Sequence, residues 1–264
     1  MTGKELLQTL SSACVVFLYP MDGQTKIWTG VYIAPHLIAT VLHPFTSTGD
    51  SVPKENVLNL NNLHIVNIDG KRLTIKDFKI MPTGDNVLIE VEEEGSYILP
   101  HPYPLSIPKD SLIYSWAYME SVESPLVGAM QGKTVYEKEL RLPYWGLWSV
   151  GWWQGPITTG GQLSAKGDDY WVYMPSVKGQ SGSPFITLNP PYVVGLLRAT
   201  FSTEEGSLLE TAKTYITSIE HITQEVTARI TKEEEIPLKL PTDNPYLVLA
   251  IGVGAGIILY SLMS

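Results

Sequence analysis

What the chain lacks narrows it first. Cys14 is the only cysteine in 264 residues, so no intramolecular disulfide and no cysteine-built metal site can form. A fold that needs no bridges suits a reducing compartment. Basic residues number 18 against 27 acidic ones and cluster nowhere, which argues against a nucleic-acid-binding face. The five histidines, at 36, 43, 64, 101 and 221, never fall at metal-ligand spacing, so neither a metal nor another cofactor is expected. Only 17% of the residues are charged while 44% are hydrophobic, which excludes a disordered chain. The length fits one large domain, or two small ones with an appendage.

Helical periodicity is also scarce over the first two hundred residues, and short β-forming runs stand in its place. Lys4 ahead of an apolar stretch that reaches Leu18 has the outline of a signal peptide. Gln8, Thr9, Ser11 and Ser12 interrupt it, and no small-residue cleavage site follows. A helical turn or two before Ser12 and a first strand over 13–19, stopped by Pro20, is the expected structure. Further strands are expected over 26–34, 36–42, 63–68, 72–80 and 86–92, separated by turns such as Asp69-Gly70 and Gly84-Asp85. Regular short strands of this kind indicate an all-β barrel or sandwich.

Leu99 to Pro108 holds four prolines in ten residues. Proline cannot donate to a ladder and stiffens extended chain, so a linker is expected here. It divides a first β unit, 1–99, from a second, 110–232, with 100–109 between them. The second unit contains β-forming runs over 112–119, 170–174, 185–188, 192–201 and 211–216. The run Tyr144 to Trp153 carries four of the seven tryptophans, which suits core and inter-strand packing, a cleft wall or a membrane-facing surface. Thr217 and Glu220 form a capping-box pattern opening a helix to about residue 231, with Ile219, Ile222, Val226 and Ile230 as its apolar stripe. A solvated connector over 233–244 follows. Residues 245–263 then run for 19 residues without a charge, about 28 Å of helix, enough to cross a bilayer. Tyr246 and Tyr260 stand near its ends, and Gly252 and Gly256 make a pattern that lets two such helices pack closely as a dimer. The expected protein is tail-anchored, with its β portion on the cytoplasmic side.

The stretch Gly179-Gln180-Ser181-Gly182-Ser183-Pro184 is the chemical focus of the chain. On its own it is an ordinary glycine-rich loop between strands. It is also the backbone in which a serine hydroxyl can stand beside the amides of Gly179 and Ser181, the requirement for a nucleophile with an oxyanion hole. Such a serine needs a histidine as base and a carboxylate to orient it. His43 follows an apolar strand and precedes Pro44, a rim position, although surface histidines are common there. Asp85 opens the apolar run Asn86 to Ile89, although Gly-Asp is also a common turn. Asp50, Asp69 and Asp77 are rivals that lack such a run.

Taken together, Thr40-Val-Leu-His43, Asp85-Asn-Val-Leu-Ile89 and Gly179-Gln-Ser-Gly-Ser-Pro184 resemble, in order and spacing, the chymotrypsin-like (trypsin-fold) serine proteases. The flanking Gly30 to Pro35 and Val193 to Leu197 are similar to strands of the family's disulfide-free HtrA-like and viral members. The resemblance covers about residues 13 to 230. It implies two six-stranded antiparallel β-barrels, followed here by the C-terminal helix and the single transmembrane helix. His43 and Asp85 would lie on the first barrel and Ser181 on the second. Ser181 would attack a peptide carbonyl, His43 would act as base and then acid, Asp85 would orient it, and the Gly179 and Ser181 amides would hold the oxyanion. Pro175, Arg198, Ala199 and Thr200 match the family's substrate-pocket positions. No acid falls among them, which argues against a preference for Lys or Arg.

Four positions depart from the family pattern. Gln180 replaces the aspartate that many secreted members use to receive a new N-terminus, so activation by that route is not expected. Ser183 stands for a glycine, and Val41-Leu42 for two alanines, which demands more room behind His43. The expectation is a membrane-anchored serine endopeptidase acting on protein or peptide substrates. The alternative is a catalytically silent module of the same fold at a membrane or in a virion. A lipid or ester hydrolase of the α/β type fits poorly, because the His–Asp–Ser order is not theirs and the chain lacks their parallel βα pattern.

Overall fold

The computed structural model describes residues 3–21, 24–46, 59–82, 85–102, 104–119, 134–137, 145–157, 170–174, 176, 179–188, 190–200 and 213–234. The chain divides into two compact units, 1–226 and 227–264. The first holds both sheets, and 227–234 is the described part of the second.

Helix α1 (Gly3–Ala13) opens the chain and buries Leu10 and Ala13. Seven strands follow: β1 (Cys14–Met21), β2 (Gln24–Ala34), β3 (Leu37–Val41), β4 (His64–Val66), β5 (Arg72–Leu73), β6 (Ile75–Ile80) and β7 (Asn86–Val91). Strand β1 runs through Pro20 to Met21 rather than stopping before the proline. Proline here costs little, because it lies at the strand's solvent-exposed end. Strand β2 is buried without a break from Trp28 to Ala34. Its Trp28 and Tyr32 join one core cluster, and Val31 and Ile33 another, so both faces of the sheet are covered there.

The first sheet has the order β5-β4-β1-β2-β3-β7-β6. It is a curled seven-stranded sheet, and the expected closed six-stranded barrel is corrected here. Its two edge strands are one extended segment broken only at Thr74. The carbonyl of Thr74 accepts from Glu92 N at 3.0 Å, and its amide donates to Glu93 Oε2 at 2.8 Å. The first bond continues the β6–β7 register one pair beyond Ile75 and Val91, while the second gives the Thr74 amide to a side chain and so withholds it from a ladder.

The second sheet contains β8 (Leu112–Met119), β9 (Thr134–Glu137), β10 (Trp145–Pro156), β11 (Tyr170–Tyr173), β12 (Pro184–Ile186), β13 (Val193–Thr200) and β14 (Lys213–Ser218). Its order is β11-β14-β13-β12-β8-β10-β9, and β10 also pairs with β11. Six strands thus close into a barrel, with β9 lying on the first half of β10. Within the tryptophan run, Trp153 is buried with its ring 5.0 Å from that of Tyr170, and a Cβ on Gly146 would collide with Trp116. Packing between strands accounts for Trp153 and Gly146, while the side chains of Trp145 and Trp148 lie outside the described residues.

The prolines of 100–109 do not leave the linker unpaired. Val193 N donates to Leu99 O at 2.9 Å and His101 N to Val193 O at 2.8 Å, so the residues flanking Pro100 carry the bonds. Helix α2 (Glu220–Glu234) closes the described chain. The capping-box expectation is corrected. Thr217 is a buried residue of β14, and Ser218 Oγ accepts the Glu220 amide at 3.2 Å instead. The largest core cluster contains Leu10, Val31, Val41, Leu88, Trp116, Leu196, Ile222 and Val226 among others. It therefore joins α1, both sheets and the first turns of α2. The expected connector beyond 234 and the span over 245–263 lie outside the described residues. Among the described residues no helix is long and apolar enough to cross a membrane.

Candidate active site

Strand β3 is buried over its whole length and ends at Val41. Leu42 N still donates to Asp85 O at 3.0 Å, extending the β3–β7 pairing by one bond. Pro44 then turns the chain into a short 3₁₀ turn, His43–Phe45, whose Phe45 is fully buried. Phe45 packs edge-on against Trp28, Phe17 and Phe78, at ring separations of 5.0, 5.9 and 5.1 Å. That aromatic cluster anchors the turn from behind while His43 stays partly exposed. The room demanded by Val41-Leu42 exists, since Val41 packs into one cluster and Leu42 into the other.

Asp85 immediately precedes β7 and is fully buried. Its Oδ1 accepts from His43 N at 2.9 Å, and its Oδ2 lies 2.5 Å from His43 Nδ1. A carboxylate can only accept, so Nδ1 carries the proton and Nε2 is left as an acceptor. His43 Nε2 lies 2.9 Å from Ser181 Oγ. The carboxylate, imidazole and hydroxyl therefore form one hydrogen-bonded series linking residues 43, 85 and 181. Of the rivals, Asp69 and Asp77 are exposed, Asp77 accepts from its neighbour Phe78 N, and Asp50 lies outside the described residues.

Ser181 sits in the turn between β11 and β12, where Gly179 has φ +101° and Gly182 φ +77°. Both are left-handed conformations that favour glycine. Ser183 N and Oγ both donate to Gln180 O, at 3.0 and 2.5 Å, closing the turn. Gly182 N donates to Leu197 O and Leu197 N to Ser183 O, each at 2.9 Å, which fastens the turn to β13. The Ser181 amide donates to no acceptor among the described residues, so it is available to an anionic oxygen beside Oγ. Gln180, in place of the family's aspartate, is fully buried inside the turn.

Arg198 is half-buried on β13, beside the register shift between Leu197 and Ala199. Ala199 and Thr200 continue the strand opposite Tyr215 and Thr214. Pro175 lies outside the described residues. Next to it, buried Ser176 Oγ is 2.6 Å from Thr214 Oγ1, which donates to Met174 O at 2.6 Å. Among the described residues no three of His, Cys, Asp and Glu come together as metal ligands.

The sequence reading missed the supporting roles of Thr217, Asn86, Thr29 and Thr40. Asp85 N donates to Thr217 Oγ1 at 3.3 Å, and Asn86 Nδ2 to Ser218 O at 2.6 Å, tying the start of β7 to the end of β14. Thr29 and Thr40 meet Ser181 and Gly182 from the first sheet. The available signal was a polar residue within or beside an apolar run, as in Trp28-Thr29-Gly30 and Asp85-Asn86-Val87.

No protein-family model and no curated protein matches the chain by sequence. By structure it is similar to the Rv3671c protease of M. tuberculosis in its active form. The TM-score is 0.53 at 13% identity, covering 86% of this chain and 83% of that one. It is equally similar to the inactive serine-to-alanine mutant of Rv3671c from M. tuberculosis H37Rv, with a TM-score of 0.53 at 12% identity, over 89% of this chain and 93% of that one. At such identity the likeness shows a shared, trypsin-like fold.

Proposed function

We propose that the chain is a serine endopeptidase that hydrolyses peptide bonds through an acyl-enzyme, anchored in a membrane by residues 245–263. The observation that carries the reading is the series Asp85 Oδ2, His43 Nδ1, His43 Nε2 and Ser181 Oγ, spaced at 2.5 and 2.9 Å. In the first step Ser181 Oγ bonds to the substrate's carbonyl carbon and its proton passes to His43 Nε2. Asp85 holds the imidazolium that results, and the oxyanion takes the amides of Gly179 and Ser181. His43 then protonates the leaving amine as the C–N bond breaks. Water, deprotonated by the same imidazole, releases the acyl group and restores the serine. The protease fold of the structural neighbours supports the hydrolase class, and the uncharged 245–263 run supports the anchor.

The test is covalent. A fluorophosphonate probe should form a P–O bond to Ser181 Oγ, with fluoride leaving and the serine proton passing to His43. Ser181→Ala should keep its fold and lose both labelling and cleavage of unfolded protein, by a factor of about 10⁴ or more. Because only neutral imidazole can accept the proton, labelling of the wild type should fade in acid. A natively folded wild type that the probe never labels would overturn the assignment.

A further inference from the structure

Ser181 belongs to the second sheet and His43 to the first, so their 2.9 Å separation depends on how the two sheets are held together at this one place. Two threonines of the first sheet stand there. Thr29 and Thr40 are both fully buried, on adjacent strands β2 and β3. Thr29 N donates to Ser181 O at 3.0 Å. Thr29 Oγ1 accepts Tyr118 N, from β8 of the second sheet, at 2.9 Å. The carbonyl of Thr29 accepts Thr40 Oγ1 at 2.8 Å.

Gly182 lies directly on this pair. A Cβ there would come within 2.0 Å of Thr29 O and 2.4 Å of Thr40 Oγ1. The residue after the nucleophile is thus seated against the bond between the two threonines. Thr40 is also three residues ahead of His43 on the strand that delivers the imidazole. One short length of β3 therefore carries the base and sets the stop against which the nucleophile turn rests.

Building on the endopeptidase reading, we infer that Thr40, acting through Thr29 O and Gly182, is a positioning residue that sets the approach of Ser181 Oγ to His43 Nε2. It touches neither substrate nor any reacting atom. Without its hydroxyl, Thr29 O loses a buried donor and can turn, and the Thr29 N bond that holds Ser181 O turns with the same strand. His43 and Asp85 keep all their own bonds, so the base itself is unaffected.

The experiment compares the wild type with Thr40→Val, which keeps the volume and loses the hydroxyl, and Thr40→Ser, which keeps the hydroxyl. The readout is the saturation kinetics of fluorophosphonate labelling. The maximal labelling rate of Thr40→Val should fall about tenfold, the size expected for one buried hydrogen bond lost. The half-saturating probe concentration and the pH profile should stay as in the wild type. Thr40→Ser should restore the rate to within about twofold. Overturning results are a Thr40→Val that labels at the wild-type rate, or a Thr40→Ser as slow as the valine variant. A rate loss that comes with a raised half-saturation and a shifted pH profile also overturns it, since general loosening would do that. If the wild type itself is unreactive, the endopeptidase reading fails; if it reacts and Thr40→Val reacts equally fast, only the positioning role fails.

Discussion

The two sheets that bring His43, Asp85 and Ser181 together differ in closure. In the second, the ladder between β10 and β11 completes a six-stranded ring. In the first, the chain passes from one edge to the other at Thr74, and Glu92 and Glu93 hold the break. Their cores differ as well. Among the described residues the first sheet has its own aromatic cluster of Phe17, Trp28 and Phe45, while the second sheet's own cluster holds Trp153 and Phe185. The difference matches what each sheet contributes. His43 stands on a turn backed by the aromatics around Phe45, whereas the Ser181 turn is held by β13 of its own sheet and by Thr29 of the other. Both sides depend on contacts across the boundary: Thr29 N holds Ser181 O, and Thr217 Oγ1 accepts the Asp85 amide.

The largest expected effect tests that dependence with two left-handed glycines of the second sheet. Gly182 (φ +77°) meets backbone of the first sheet, while Gly155 (φ +102°) has nothing within 4 Å of its absent Cβ. Gly182→Ala should destabilise the protein by about 3 kcal/mol or more, because Thr29 O is backbone and cannot give way cheaply. Activity should fall over a hundredfold in the fraction that folds. Equal unfolding midpoints for Gly182→Ala and the wild type would show that the two sheets are not locked at this point.

Much of this division was legible beforehand. The three motifs around His43, Asp85 and Ser181 carry residue types that serve few other purposes in that order, and strand periodicity places them at rims. The open form of the first sheet was not legible, because residues 72–80 read as one uninterrupted β run and nothing local to Thr74 marks the change of partner. Thr217 was misread for a similar reason. A threonine three residues ahead of a glutamate has the pattern of a helix cap, yet burial in β14 turned its hydroxyl toward the Asp85 amide. Propensity fixes which hydrogen bonds a threonine can make locally, and tertiary packing chose among them.

Gly155→Ala is the next effect in size and marks the other side of the comparison. The residue lies at the register shift where β10 meets β11, so its backbone conformation matters and its surroundings do not. The expected cost is about 1–2 kcal/mol, from the left-handed backbone alone. Per-molecule activity should be unchanged, since the closing ladder is remote in the bonding pattern from the Ser181 turn. A loss of activity without a loss of stability would mean that ring closure reaches the cleft.

The smallest effect concerns the break in the first sheet. Burial raises the proton affinity of the Glu93 carboxyl, but the Thr74 amide, its own backbone amide, the Lys71 charge and the Thr74 hydroxyl outweigh it and hold the group below the ordinary carboxylate range. Nearby Tyr32 is pushed the other way, to about 12, by burial and by the Glu93 charge. A carboxyl whose folded value is depressed binds protons more weakly than in the unfolded chain, so its contribution is present at neutral pH. It is lost as the pH falls through that depressed folded value. Glu93→Gln should therefore lower stability at neutral pH by about 1 kcal/mol or less, the scale of a partly exposed charged hydrogen bond. In acid, where Glu93 is already protonated, variant and wild type should unfold at nearly the same denaturant concentration. Activity should not change at either pH, because Thr74 lies between the two edge strands of the first sheet, while the His43 turn is secured by Phe45 and Asp85. A gap between variant and wild type that persists undiminished in acid would show that Glu93 holds Thr74 by shape alone and that its charge contributes nothing to holding the edge strands of the first sheet.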